Sequence, residues 1–194
     1  MRQKEKDSAT QRVPPGQVLT AKFPVLTYGP VPAVDLSQWR FTFWGLIAEG
    51  RVQITWEQFR ALPQSQVQAD FHCVTRWSRL DNLWQGVLFR DLVKLVTPLP
   101  EVRYVMVHCL GGYSTNLPLA ALLDDDVLLA HSHDGATLSP DHGWPLRLIV
   151  PKRYAWKSAK WVDGLEFMAQ DAKGFWERYG YHNDGDPWRE ERFS

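Results

Sequence analysis

Short runs of alternating apolar and polar residues, each ended by a proline, a glycine or a turn, recur along most of the chain and leave little room for a long helix. Arg40–Gly45 carries aromatic residues in alternation, and Arg51–Thr55 reads as its hairpin partner. Thr55 then caps a short helix, with Gln58 completing a capping box and Pro63 stopping it. Val67–Val74 alternates again, placing Val67, Ala69, Phe71 and Cys73 on one face and Cys73 near a strand end. Phe89–Val96 has helical spacing, closed by Pro98 and Pro100. Tyr104–Cys109, Val127–His131, Leu146–Val150 and Trp161–Phe167 read as further strands, and His133-Asp134-Gly135 as a turn. Pro118 starts a short helix through Leu123. The pattern predicts an α+β domain, β-rich with mixed sheets, rather than a doubly wound nucleotide fold; no glycine fingerprint for nucleotides is present.

At 194 residues the chain suits one domain with a substantial core. The expected organisation is a flexible N-terminal tail over 1–17 and a single domain over 18–194. Lys plus Arg balances Asp plus Glu at 22 each, which argues against chain-wide attraction to nucleic acid or to an anionic membrane. No stretch is long and apolar enough to span a bilayer, and no apolar leader core follows the polar residues Met1–Arg12, so the expected location is cytoplasmic. Ten tryptophans point mainly to packing, with some free to wall a pocket for a flat ligand.

Two segments concentrate chemistry. In Phe71-His72-Cys73-Val74-Thr75-Arg76-Trp77-Ser78, Cys73 has three open fates: a buried apolar thiol, a nucleophile with His72, His108 or His142 as base, or a single thiolate ligand to a soft metal. Arg76 would favour the ionised thiol. His72-Cys73 and His108-Cys109 together suggest a zinc site, but neighbours on a strand point to opposite faces and the spacing lacks the usual zinc pattern. The second segment holds His142, Arg147, Lys157, Ser158 and Lys160. It reads either as a solvated basic edge or as an anion cradle; Arg147 beside an apolar run favours the cradle, since an unpaired buried charge is costly. His131 ends an apolar run and is a candidate acid or base, and His133 flanks the turn.

These motifs, in this order, resemble the sulfite oxidase-like molybdopterin oxidoreductases, above all the short bacterial members and the catalytic subunit of the periplasmic methionine sulfoxide reductase. The resemblance covers roughly residues 20–170 and rests on three runs: Cys73 in its segment, Asp134-Gly135 through His142-Gly143, Pro145 and Arg147, and Lys157-Ser158-Ala159-Lys160-Trp161. It implies a molybdenum-molybdopterin cofactor with Cys73 as the protein thiolate on the metal. It also implies that Tyr28, Gly29, Arg76, Cys109, His142, Arg147, Lys157, Ser158, Ala159 and Lys160 form the cofactor's surroundings, and that His131 sits where the family's catalytic tyrosine would be. Trp77 and Ser78 stand where sulfite oxidases carry an arginine pair, and no arginine occurs in Leu26-Thr27-Tyr28-Gly29. The resemblance therefore implies two-electron chemistry, oxygen-atom transfer above all, on a small-molecule substrate other than sulfite. No fused haem domain is found, so the electron-transfer partner is expected to be separate. A metal-free thiol enzyme and a non-catalytic cofactor-binding module are the alternatives.

Overall fold

The computed structural model describes residues 11–194. In chain order it holds β1 (Val18–Leu19), β2 (Arg40–Gly45), β3 (Arg51–Thr55), α1 (Trp56–Arg60), β4 (Ser65–Cys73), β5 (Trp77–Leu88), α2 (Phe89–Leu92), β6 (Tyr104–Cys109), β7 (Ser114–Pro118), α3 (Leu119–Leu122), β8 (Leu128–His133), β9 (Ala136–Thr137), β10 (Arg147–Ile149), β11 (Val162–Met168) and α4 (Phe175–Arg178). The strands form two sheets. One runs β1-β5-β8-β10, with β4 paired to β5 and β9 to β8; the other runs β3-β2-β11-β6-β7. Among the described residues, parallel pairing is confined to β1 with β5 and β11 with β2. Strand content dominates and the helices are single turns, which is the expected β-rich α+β architecture.

Period-two alternation builds the interior. In β8, Leu129 faces the main core while Leu128 and Ala130 face a second cluster; in β10, Leu148 and Ile149 divide the same way. The main core lies between the sheets, where Val87, Leu129 and Leu148 from one meet Phe41, Phe43, Val107, Leu165 and Phe167 from the other. The second cluster, with Phe71, Trp84 and Ile149, covers the opposite face of the β5-β8 sheet. Both sequence-stated roles of tryptophan occur: Trp39 and Trp84 are buried in packing, while others reach a cavity described below.

The largest departure from the sequence reading is β5, the longest strand, which pattern alone does not reveal. Its polar residues hide it. Ser78 and Asn82 are fully buried yet bonded, Ser78 Oγ to His72 Nδ1 and Asn82 Nδ2 to the carbonyls of Ala69 and Arg79. Gly86 is required where β5 crosses β8, since a Cβ there would meet Leu129 O at 2.0 Å. β7 and α4 are also additions to the sequence reading. The Phe89–Val96 helix shortens to α2 followed by a 3-10 turn over Val93–Leu95.

Of the expected flexible tail, residues 1–10 lie outside the described residues. Within 11–17, Arg12 Nε donates to Asp70 Oδ2 at 2.9 Å and Gln17 Nε2 donates to Cys73 O at 3.1 Å.

The capping box on α1 forms as read: Gln58 N donates to Thr55 Oγ1 and Thr55 N to Gln58 Oε1. Thr55→Ala removes one acceptor from a helix of five residues. It is expected to lower stability by about 1 kcal/mol, read as a shift in the urea midpoint at unchanged m-value.

Candidate active site

Cys73 closes β4, and the chain returns as β5 through Val74–Arg76, with Cys73 paired to Trp77. Arg76 N donates to Cys73 O at 3.0 Å and Arg76 takes φ 71°, the left-handed last residue of a three-residue hairpin loop. Arg192, from the C-terminal segment, donates from Nη1 to Val74 O at 2.6 Å and so ties down the same loop. The thiol, 5% exposed, lies 3.1 Å from Thr75 Oγ1 and lines a cavity of ≈ 280 Å³.

The basic segment supplies another part of that cavity's lining. A 3-10 turn, Pro140–His142, leads to Gly143 at φ 112°, where a Cβ would meet Lys160 Cβ at 3.1 Å and Arg147 Cβ at 3.2 Å. Glycine is thus needed to bring the two cations together, and Arg147 and Lys160 also pair as a β-bridge. Arg147 is 6% exposed. Its Nη1 donates to His142 O at 3.1 Å, while its Nε is buried with no partner among the described residues. Its guanidinium lies 5.0–6.0 Å from the rings of Phe71, Phe23 and Trp84. Lys160 Nζ donates to Leu26 O, Thr27 Oγ1 and Asp141 O, which holds the N-terminal arm against the cavity. His142 stacks face to face on Phe23 at 4.4 Å.

The electrostatics here favour an anion. Burial, then the charge of Arg147, pulls the Lys160 ammonium down to about 8. His142 is lowered by burial and by the same two cations, and burial takes Arg147 down to about 10. A shared negative ligand would offset the burial of Arg147 and the pull of its charge on Lys160 and His142. With its unpartnered Nε, Arg147 fits a phosphate-bearing group, and the glycine at 143 leaves the cations free to converge on it.

Tyr28, Cys73, His142, Arg147, Ser158, Ala159 and Lys160 all line this cavity; the other expected site residues do not. Gly29 sits in an exposed turn beside Tyr28, and Arg76 is exposed with its side chain near Gly16. Cys109 belongs to the main core, where burial pushes its thiol up. Lys157 is fully buried against Glu177, Nζ to Oε1 at 2.6 Å. His131 is enclosed elsewhere, its ring bonded to Gln64 Oε1 at 2.9 Å and Ser132 Oγ at 2.8 Å, with burial lowering it to about 4. The His-Cys pairs split as strand geometry demands. Cys73 meets the cavity while His72 does not, and His108 bonds Glu166 while Cys109 is in the core.

Sequence reasoning missed most of the cavity's aromatic wall: Phe23, Tyr113, Trp156, Trp176 and Tyr181 among others. For Trp176 and Tyr181 the available signal was the aromatic density of the C-terminal segment, which has no period to interpret. Tyr113 donates its hydroxyl to Trp156 O at 2.6 Å, and Trp176 and Tyr181 come from α4 and the turn after it.

The family described as oxidoreductase molybdopterin binding domain matches residues 28–176. The chain is 45% identical over 184 residues to the uncharacterized oxidoreductase YuiH of Bacillus subtilis (strain 168), an alignment covering 94% of this chain and 92% of that protein. It is 30% identical over 171 residues to the putative protein-methionine-sulfoxide reductase subunit YedZ1 of Azospira oryzae, covering 87% of this chain and 64% of the relative. It is 30% identical to the sulfite oxidase of Arabidopsis thaliana, covering 79% of this chain but 48% of that one. In three dimensions it resembles the sulfane dehydrogenase SoxCD from Paracoccus pantotrophus, with TM-score 0.69 and 19% identity over 82% of this chain and 47% of that one, a likeness of fold.

Proposed function

The chain belongs to the molybdopterin-binding oxidoreductase family, and from that premise we propose that it carries out oxygen-atom transfer on a small substrate other than sulfite, with Cys73 as the protein's thiolate on the metal. It is a molybdenum-molybdopterin enzyme. The bound cofactor supplies two-electron redox chemistry at the metal. The chain's own residues bind, orient and shield it. Arg147, Lys160 and His142 hold the phosphate, Ser158 and Ala159 form the wall beside it, and Tyr28 covers the outer side.

One observation carries this reading. A thiol and a buried guanidinium with an unpartnered Nε line the same cavity. A soft ligand for the metal and a fork for phosphate are thereby within one ligand's reach. A thiol-nucleophile reading has less support, because among the described residues no histidine is within hydrogen-bond reach of Cys73 Sγ. Against sulfite stands the distribution of charge. Arg147, Lys160 and His142 are assigned to the phosphate, and Trp77 rather than an arginine stands paired with Cys73 and lines the cavity.

A separate protein serves as electron partner in this proposal; the YedZ1 relative is itself named a subunit. No helix among the described residues is long and apolar enough to cross a membrane.

The test is molybdenum and pterin content in protein purified from a molybdenum-replete host. Wild type is expected to carry metal and pterin in equal amounts. Cys73→Ser is expected to lose dye-linked turnover by more than the ~10–100-fold that removal of an outer partner of a metal ligand costs. Neither metal nor pterin in wild type would sink the reading.

A further inference from the structure

We propose that Tyr181 is a substrate-contacting residue, its hydroxyl donating the hydrogen bond that orients the oxygen of a small neutral substrate beside Cys73. The proposal rests on the oxidoreductase reading above and deepens it. Tyr181 lies beyond residues 28–176, the part matched by the family.

The C-terminal segment brings Tyr181 to the cavity and holds it there. Its ring stacks on Trp176 at 5.0 Å and 17°, and meets Trp156 and Phe193 edge-on at 5.1 Å each. Its backbone N donates to Trp176 O at 3.1 Å and its residue bridges to Phe193. Two further ties fix the segment: Glu177 on Lys157, and Arg192 on the carbonyl of Val74, next to the thiol. A phenol clamped between three rings has little rotational freedom left to lose when it binds.

Its hydroxyl is also available. Tyr113, the other inner tyrosine of the cavity, is committed to Trp156 O. Tyr28 stands on the rim, 65% exposed. Among the described residues the Tyr181 hydroxyl has no hydrogen-bond partner, and a phenol is a donor at neutral pH. His131 cannot take this role from where it sits, bonded to Gln64 outside the cavity.

The surroundings define the substrate class. Trp77, Trp156 and Trp176 line the cavity together with Tyr181, and the cavity's buried cation, Arg147, is assigned to the cofactor's phosphate in the reading above. A neutral molecule with one accepting oxygen, such as a sulfoxide, suits one donor among indoles; a dianion does not.

The experiment titrates dimethyl sulfoxide, as probe, into molybdenum-loaded wild type and Tyr181→Phe, following the metal's visible absorption and measuring metal per chain in both. The phenylalanine keeps the ring contacts, so fold and metal content are expected to stay equal. Affinity is expected to fall roughly 2- to 10-fold, the value of one net hydrogen bond. Equal affinities, no sulfoxide binding to wild type, or loss of metal from the variant each overturn the assignment. Absence of molybdenum from wild type is instead the failure of the oxidoreductase reading, and this proposal falls with it.

Discussion

Lys157→Met destabilises the fold by about 3–5 kcal/mol, the cost of removing one partner from a buried ion pair. Lys157 and Glu177 are both 0% exposed and meet at 2.6 Å. Lys157 also donates to Asn116 O at 2.8 Å, and Glu177 Oε1 accepts from Trp156 Nε1 at 2.9 Å. Burial lowers the Lys157 pKa and the carboxylate of Glu177 opposes that shift, so each charge depends on the other. Methionine fills the lysine's space without its charge and leaves a carboxylate whose Oε2 already lacks a partner. A loss of this size is a large share of the ~5–15 kcal/mol typical of a folded protein. It is read as a fall in the urea midpoint of cofactor-free protein. Lys157→Met combined with Glu177→Leu removes both charges and is expected to recover most of the loss, short of the acceptor that Trp156 Nε1 gives up. If the double variant is no better than the single one, the pair is not what holds α4 in place.

The same pair shows where sequence reading stops. Lys157 stands in a run of polar and basic residues and reads as a ligand for phosphate; only the fold brings Glu177 to it from the C-terminal segment. The surroundings of His131 are hidden for the same reason, since Gln64, which its ring bonds, lies 67 residues away in the chain. That Cys73, His142, Arg147 and Lys160 line one cavity follows from local features: a thiol at a strand end, and cations around a glycine. For the fold, β2, β3 and β6 were legible to the residue because one face of each meets the common core and the other does not. β5 was not, because its buried Ser78 and Asn82 are stabilised by hydrogen bonds made across the sheet, and alternation carries no mark of such bonds. The aromatic wall of the cavity was hidden for a third reason. Tryptophan and tyrosine pack in cores and wall pockets alike, and position alone decides between the two.

Arg147→Met separates binding from stability, and its two effects run in opposite directions. In cofactor-free protein the guanidinium is a cost. It is buried, its Nε has no partner, and a single carbonyl, His142 O, accepts from Nη1. Its rings at Phe71, Phe23 and Trp84 return about 0.5–2 kcal/mol by cation–π attraction. The effective penalty for burying the charge is several kcal/mol. Methionine fills much of the volume, keeps contact with the aromatic rings and carries no charge. The urea midpoint of cofactor-free Arg147→Met is therefore expected to equal or exceed that of cofactor-free wild type. Cofactor retention moves the other way. Each charge-assisted hydrogen bond to phosphate is worth about 1.5–3 kcal/mol, so its loss weakens retention roughly 10- to 100-fold, read as pterin per chain after gel filtration. Lys160 compensates only in part, because its ammonium also holds Leu26, Thr27 and Asp141. A variant that unfolds earlier yet keeps its pterin would make Arg147 a structural staple between the two aromatic faces, and would move the phosphate to His142 and Lys160 alone.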